Sequence, residues 1–233
     1  MAARGARPIA GDSYRRWLPA GGPASRRTRA LTTARRSGVR ALTVMGGVPA
    51  LRPVSRLGMR LLFDHLAADW DTIRKDPMYV VNFVRGLEQL PARLGARPAP
   101  RTILDVACGT GLATGVLLER FARARVTGVD IAPRMVAAAA ERFPAAEFLQ
   151  ASGDALPFKN GSFDLVTSLD GFFDVAELSR VCAPGGAIFL AYSNAQVPIR
   201  RSLNDLASEA EAAGLRAEWE QTAQGWWLWA SAG

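Results

Sequence analysis

The sequence predicts an α/β fold: a Rossmann-like, seven-stranded and mostly parallel sheet with helices on both faces and a C-terminal antiparallel hairpin. Three observations predict it. From residue 102 onward, short apolar runs alternate with segments of helical character, a pattern typical of a parallel sheet. The first run leads into a glycine-rich turn. The last two runs are separated by only a few residues near Gly225, too few for a parallel crossover, so they are expected to pair antiparallel.

Residues 59–100 are predicted to form a helical cap followed by a linker, and residues 101–233 the main domain. Apolar side chains recur at helical spacing over residues 61–70, and Pro77 opens a second helical stretch. Further prolines mark the linker, because proline favours turns and extended backbone over helix.

The main domain is predicted to contain five parallel strands, four helices and the hairpin. The parallel strands are expected at 102–107, 125–130, 146–151, 163–169 and 186–192. The helices are expected at 111–122, 133–142, 173–182 and 200–213, and the hairpin strands at 215–222 and 226–231. Pro184, Gly185 and Gly186 predict a turn before the fifth strand. The last strand opens with the apolar run 226–229, as expected for a strand covered on both faces.

Charge is unevenly distributed along the chain. Residues 1–58 hold twelve arginines and one acid, Asp12, whereas the other residues hold seventeen basic and twenty acidic side chains. The net charge of +8 therefore belongs to the N-terminal extension, and charge gives no support for nucleic-acid binding by the globular part. The extension is rich in Arg, Ala, Gly, Pro and Ser, a composition that predicts a mostly disordered segment.

Three interpretations of residues 1–58 stay open. The segment is a solvated tail, or reflects a start codon placed too far upstream, with Met45 and Met59 as alternative starts. It is an organelle transit peptide, which would also be rich in arginine and poor in acids. Or it is an arm that binds nucleic acid or an anionic membrane.

Several classes of protein are excluded by composition. No apolar run approaches the roughly 18 residues that a membrane span needs. The two cysteines, Cys108 and Cys182, provide no disulfide framework and fit a reduced compartment, so a cytoplasmic location is expected. Because His65 is the single histidine, no Cys/His metal site is expected.

The glycine-rich turn carries the strongest functional signal. Gly109 and Gly111 let the backbone approach a ligand closely, and the helix that follows presents free N–H groups. A second apolar run ends on Asp130, nineteen residues after Gly111, where a carboxylate can accept hydrogen bonds from a ribose diol. This layout predicts a nucleoside-binding βαβ unit, and so far NAD and S-adenosylmethionine fit it equally well.

Two observations separate these nucleosides. Asp105 lies four residues before Gly109, where a carboxylate would repel a pyrophosphate but would suit the ammonium group of a bound methionine. A dinucleotide fingerprint also requires a third glycine at the position of Thr114, whereas the next glycine, Gly115, comes one residue later. Both observations favour S-adenosylmethionine.

Further motifs follow in order: Gly153-Asp154-Ala155-Leu156-Pro157-Phe158 after the third strand, Gly161-Ser162-Phe163-Asp164-Leu165-Val166, and the segment 178–186. With them, the chain resembles class I S-adenosylmethionine-dependent methyltransferases, of the branch that includes quinone-biosynthesis and many small-molecule enzymes. The resemblance covers residues 102–193 and, more loosely, residues 63–70. It implies S-adenosylmethionine as the cofactor and a small-molecule acceptor, and it leaves the acceptor and the oligomeric state open.

The resemblance also implies roles by position. Four residues of the first turn would line the methionine moiety: Asp105, Ala107, Gly109 and Gly111. Asp130 would bind the ribose, and Ile131 would pack on the adenine. Asp154 would accept a hydrogen bond from the adenine amino group, with the Ala155 backbone alongside. Ser168 and Leu169 would lie near the reacting sulfur. Ala107 departs from the family pattern, in which glycine is usual at this position.

A general base is not evident, and methyl transfer does not need one, because positioning can supply roughly 7–11 kcal/mol. Tyr192, His65 and Asp170 are the candidates for such a base. Phe63, Trp70 and Tyr79 are expected to form apolar walls for the acceptor. The alternatives to a small-molecule methyltransferase are an NAD(P)-dependent oxidoreductase, an RNA methyltransferase that uses the basic N-terminal arm, and a non-catalytic protein that binds the cofactor.

Overall fold

In the computed structural model, the chain is described at residues 25–74, 78–94, 98–193, 202–223 and 225–232. Seven strands are found in this part of the chain: β1 (Thr102–Val106), β2 (Arg125–Asp130), β3 (Glu147–Gln150), β4 (Phe163–Leu169), β5 (Cys182–Ser193), β6 (Leu215–Thr222) and β7 (Gly225–Ala232). They form one sheet in the order β3-β2-β1-β4-β5-β7-β6. The predicted fold class is confirmed.

Strands β1 to β5 pair in parallel, and β7 pairs antiparallel with both β5 and β6. The chain runs outward from β1 to β3 on one side and then returns to β4 on the other side of β1. This reversal leaves a crevice at the carboxyl ends of β1 and β4, where open α/β sheets bind ligands. The predicted hairpin is confirmed, since Leu215 pairs with Ala232 and Thr222 with Gly225.

The helices are α1 (Arg26–Gly46), α2 (Arg52–Leu66), α3 (Trp70–Ile73), α4 (Met78–Glu88), α5 (Leu90–Leu94), α6 (Leu112–Arg120), α7 (Pro133–Arg142), α8 (Val175–Val181) and α9 (Leu203–Ala212). Helices α4 and α6 pack on one face of the sheet, with Phe83 and Leu117 in the same buried cluster as Phe189. Helices α8 and α9 pack on the other face, with Leu178 and Leu206. None of the helices in the described ranges combines the length and apolar character that crossing a membrane requires.

The largest boundary difference from the prediction is at β5, which begins at Cys182 rather than at residue 186. The predicted turn at Pro184 to Gly186 lies inside this strand. Cys182 pairs with Phe163, and the register then shifts before Leu165 pairs with Ala187. Gly185 has φ 74°, a left-handed conformation that glycine adopts readily. The segment is therefore an irregularity within a paired strand, and pairing continues on both sides of it.

The prediction of a disordered extension is wrong for residues 26–58, which form α1, a short 3-10 helix (Pro49–Leu51) and the first half of α2. Residues 1–24 lie outside the described residues. The two helices pack closely through glycine, since a Cβ at Gly38 would lie 3.0 Å from Leu62 Cδ2 and one at Gly58 would meet Leu42. Ordering therefore comes from contacts between the helices and with the domain, which composition does not reveal.

Candidate functional site

A cavity of about 450 Å³ lies at the carboxyl ends of β1, β2 and β4. Its volume is in the range of small-molecule sites. The domain contributes residues that follow strands, among them Ala107, Gly109, Asp130, Ile131, Asp154, Leu169, Asp170 and Tyr192. The first three helices contribute the opposite wall, among them Arg35, Arg52, Arg56, Met59, Phe63, Trp70 and Arg74. The site is thus enclosed by the sheet on one side and by the N-terminal helices on the other.

The turn after β1 adopts left-handed backbone at Ala107, Gly109 and Gly111, with φ of 58°, 55° and 85°. A Cβ at Gly111 would lie 2.8 Å from the Phe143 ring, and one at Gly109 would lie 3.2 Å from Trp70 Nε1. Conformation therefore favours glycine at both positions, and space favours it most strongly at Gly111. The positive φ of Ala107 explains why glycine suits this position and indicates local strain.

Asp130 ties the end of β2 to this turn. Its Oδ2 accepts a hydrogen bond from the Gly109 N–H at 2.9 Å, and its Oδ1 accepts one from the Ala132 N–H at 2.9 Å. The side chain is buried but lines the cavity. Burial raises the pKa of Asp130, and the backbone donors oppose that rise. Each carboxylate oxygen keeps a further lone pair for a ligand.

Asp105 is placed differently, because it is fully buried and is not among the described residues that line the cavity. One carboxylate oxygen accepts from Thr114 Oγ1 at 2.6 Å, and the other has no hydrogen-bond partner within the described ranges. Burial raises the pKa of Asp105 to about 7, and the nearby charge of Asp130 adds to this effect. A buried carboxylate oxygen without a donor is suited to a cationic donor, so the site fits an ammonium-bearing ligand in this respect.

Asp154 lines the cavity but already has partners. Its Oδ2 accepts from Arg56 Nε at 2.7 Å, and its Oδ1 accepts from Ser152 Oγ at 2.6 Å. The neighbouring Ala155 is exposed and not on the cavity wall, and its N–H donates to the Ser152 carbonyl at 3.0 Å. An arginine of α2 therefore occupies the carboxylate that the resemblance assigns to the adenine amino group.

At the end of β4, Leu169 and Asp170 line the cavity, whereas Ser168 does not. The Ser168 hydroxyl donates to the Val106 carbonyl at 2.8 Å, so it joins β4 to β1. Asp170 has φ 54° and forms a buried ion pair with Arg74 of the N-terminal region. It also accepts from the N–H and the hydroxyl of Ser193. The Asp170 carboxylate is thus held by three donors.

Tyr192 is the second candidate base that the structure brings to the cavity. Its hydroxyl donates to the Gly171 carbonyl at 2.8 Å, and its ring stacks on Trp226 at 4.3 Å between centroids. Buried Asn82 donates to the carbonyls of both residues, at 3.1 and 3.0 Å. The hydroxyl is therefore held in a defined position at the cavity wall.

The third candidate base, His65, is not brought to the cavity. Its side chain is exposed, because the buried face of α2 carries Met59 and Leu66 and residue 65 points to the other side. Of the predicted apolar walls, Phe63 and Trp70 do line the cavity. The side chain of Tyr79 lies outside the described residues.

Sequence reasoning missed the arginines of the N-terminal helices: Arg35, Arg52, Arg56 and Arg74. The guanidinium carbons of Arg35 and Arg74 each lie 5.8 Å from the centroid of the Trp70 ring, within the range of a cation–π contact. Two local sequence signals indicate the helices that carry these arginines. Ser25 caps α1 by accepting from the Thr28 N–H, and prolines open the 3-10 helix and α2.

Comparison with known proteins agrees with this geometry. Residues 103–186 match the family described as "Methyltransferase domain". The chain is 34% identical over 151 residues to a trans-aconitate 2-methyltransferase of Acidovorax sp. (strain JS42), and the alignment covers 61% of this chain and 57% of the relative. It is 43% identical over 106 residues to a demethylmenaquinone methyltransferase of Thermus thermophilus, and the alignment covers 41% of this chain and 48% of the relative. The chain thus spans about half the length of the curated relatives that it matches.

A solved structure shares the fold at low sequence identity. It is a SAM-dependent methyltransferase of Thermotoga maritima, with a TM-score of 0.54 and 16% identity. The superposition covers 73% of this chain and 98% of that protein. The similarity therefore extends over most of this chain and nearly all of the other.

Proposed function

We propose that this protein transfers a methyl group from S-adenosylmethionine to a small-molecule acceptor, because residues 103–186 match the methyltransferase-domain family and the sheet shares the fold of a SAM-dependent methyltransferase. One observation carries the proposal: the glycine turn, Asp130 and Leu169 meet at one enclosed cavity at the switch point of the sheet. When bound, the cofactor supplies an activated methyl group on a sulfonium. The protein supplies binding, orientation and exclusion of water.

The cavity residues divide between direct contact and support of the donor site. Asp130 is proposed to bind the ribose through the remaining lone pairs of its carboxylate, with Ile131 against the adenine. Ala107 and Gly109 are proposed to contact the methionine moiety. The residues that do not line the cavity would act from behind it: Gly111, Ala155 and Ser168 by shaping turns and strand ends, and Asp105 through its unpartnered oxygen.

The acceptor is proposed to lie between the strand ends and the N-terminal helices, against Phe63 and Trp70. The Tyr192 hydroxyl already donates its proton, so its oxygen is left to accept a hydrogen bond from the acceptor and orient it. Asp170 is held by Arg74 and Ser193 and is therefore less suited to take up a proton. Positioning rather than base catalysis is expected to dominate.

The class of acceptor follows from the relatives. Their names state trans-aconitate and demethylmenaquinone as substrates, and both are small molecules. We infer a reducing compartment, the cytoplasm, because Cys108 and Cys182 are both free and buried.

The proposal is tested first by calorimetry with S-adenosylhomocysteine and with NADH. We expect binding of the first and not of the second. Binding of NADH alone would support the oxidoreductase alternative, which Asp105 and Thr114 oppose. A screen with labelled S-adenosylmethionine against pooled small molecules then identifies the acceptor. Label found in RNA and in no small molecule would contradict the acceptor class.

The donor site is tested by Asp130→Ala. We expect S-adenosylhomocysteine to bind at least about tenfold more weakly, because charge-assisted hydrogen bonds contribute roughly 1.5–3 kcal/mol each. Asp164→Ala is the matched control, since Asp164 also accepts two backbone N–H bonds, from Arg101 and Thr102, but does not line the cavity. Equal losses in both variants would mean that the effect is structural and that the ribose contact is wrongly assigned.

A further inference from the structure

The connection between α1 and α2 presents an unusual apolar surface. Six of the nine large apolar side chains that are exposed in the described residues lie on it: Val44, Val48, Leu51, Val54, Leu57 and Leu61. Their exposed fractions run from 39% at Leu51 to 56% at Leu61. Isolated exposed apolar residues are ordinary, but a concentrated group marks an interaction site. We refer to these six residues as the apolar tip.

The apolar tip is separate from the faces that the two helices bury. On α2, Val54, Leu57 and Leu61 recur at spacings of three and four, so they form one stripe along the helix. The buried residues Ser55, Met59 and Leu66 lie on another side of α2. Val44, Val48 and Leu51 are exposed at the end of α1 and in the connection that leads to α2. Within the described residues, the helical pair therefore buries one side and exposes apolar side chains on another.

The segment that carries the apolar tip is basic in sequence. Residues 25–63 contain nine arginines and no aspartate or glutamate. Arg56 is paired with Asp154 and Arg35 is buried at the cavity, but Arg36 and Arg40 of α1 are exposed and Arg60 of α2 is half-buried. A basic helical surface with an apolar stripe is the pattern of helices that lie in the interface of an anionic bilayer.

We propose that the apolar tip and its arginines dock this protein onto a membrane surface that contains anionic lipids. A second copy of the chain is a poorer partner, because it would bring the same nine arginines against the first set. A nucleic acid would pair with the arginines but would leave six apolar side chains without a partner. A lipid surface satisfies both features at once, because the apolar residues contact the acyl chains and the guanidinium groups contact the anionic headgroups.

Docking in this way has a consequence for the acceptor. Gly46, Gly47 and Arg52 line the cavity, and their chain neighbours Val48 and Leu51 belong to the apolar tip. The surface that meets the bilayer is therefore continuous with one wall of the cavity. This arrangement suits a methyl acceptor that is amphipathic and is held in the membrane. This last step rests on the proposed function, whereas docking itself does not.

The test is cosedimentation of the full chain with vesicles of phosphatidylcholine alone and of phosphatidylcholine mixed with phosphatidylglycerol. We expect binding to the mixed vesicles only, reduced at least about tenfold by high salt, because salt screens the arginine–headgroup attraction. The double variant Leu57→Ser/Leu61→Ser is expected to lose binding by at least about tenfold as well, because it removes buried apolar surface. Leu149→Ser is its control, since Leu149 is 40% exposed on β3.

The charge component is tested by Arg40→Gln/Arg60→Gln, with Arg125→Gln/Arg216→Gln as a pair of exposed control sites on β2 and β6. Only the first pair is expected to weaken binding. All variants should bind S-adenosylhomocysteine as the wild type does, which separates failure of docking from failure of the donor site. Equal binding to both vesicle types would overturn the proposal. So would a dimer that Leu57→Ser/Leu61→Ser dissociates, or vesicle binding that appears only after residues 1–24 are deleted.

Discussion

The α/β domain and the N-terminal helices form opposite walls of one cavity, but local sequence patterns predict only the first of them well. In the domain, β2, β4, β6 and α7 begin and end at the predicted residues. In the N-terminal region, α1 and half of α2 stand where disorder is expected. A local sequence pattern therefore predicts a segment that carries its own structural signal. It does not predict a segment that is ordered mainly by contacts with its neighbours.

The domain could be predicted because its signals are local. Each parallel strand is an apolar run bounded by a turn, and Gly109 and Gly111 occupy left-handed positions that favour glycine. The strand ends consequently place Asp130, Ile131 and Leu169 on the cavity, as the resemblance implies. Whether a residue lies on the wall or behind it could not be read from the sequence. Asp105 and Ser168 illustrate this, because both have partners in neighbouring elements.

The N-terminal helices could not be predicted because their buried face is polar in composition. Thr28, Arg35 and Ser55 are buried there, so the apolar period that marks an amphipathic helix is weak. Contacts with other elements hold this face instead, for example Arg35 of α1 near the Trp70 ring of α3. Such contacts join residues that are far apart in sequence, and no spacing rule indicates them.

The largest effect on stability is expected when the ion pair that joins the two regions at Arg74 is removed. In Arg74→Met, the buried Asp170 loses its cationic partner, and we expect the free energy of unfolding to fall by about 3–5 kcal/mol. Urea denaturation measures the change. The double variant Arg74→Met/Asp170→Asn should recover part of the loss, because no unpaired charge is left buried. If the single variant keeps wild-type stability, the ion pair does not join the regions.

A second prediction concerns the interior of the domain, where Asp105 makes stability depend on pH. Its pKa rises from 3.8 to about 7 on folding, so the folded state binds more protons in that window. The contribution of Asp105 to stability is therefore greatest below about pH 4 and declines as pH rises to about 7, by an amount on the order of 4 kcal/mol. Denaturation of the cofactor-free protein at several pH values measures the slope.

Asp105→Asn should flatten this slope, because the amide does not titrate. Asp130 is expected to contribute a slope of the same sign, because burial also raises the pKa of Asp130. The affinity for S-adenosylhomocysteine should rise over the same window, since an ammonium group near Asp105 favours the ionised carboxylate. An unchanged slope in Asp105→Asn would show that this carboxyl does not titrate in the window.

A smaller effect distinguishes how the two regions unfold. Ser25 caps α1 and Ser202 forms a capping box with Asp205 at the start of α9. Replacing either serine by alanine should cost about 1 kcal/mol. We expect Ser202→Ala to lower global stability, and Ser25→Ala to accelerate hydrogen exchange in α1 alone, because helices with few apolar contacts open locally. Equal loss of global stability would mean that α1 unfolds together with the domain.

The smallest expected change in stability comes from Arg56→Gln, which tests whether the N-terminal wall competes with the cofactor. The Arg56–Asp154 pair is partly exposed, with 44% and 32% of the side-chain areas accessible, so its loss should change stability by less than about 1 kcal/mol. It also releases the Asp154 carboxylate that the family resemblance assigns to the adenine amino group. We therefore expect S-adenosylhomocysteine to bind a few times more tightly to Arg56→Gln and more weakly to Asp154→Asn, as measured by calorimetry. If Arg56→Gln weakens binding instead, the arginine itself contacts the cofactor, and the N-terminal helices belong to the donor site as fully as the strand ends do.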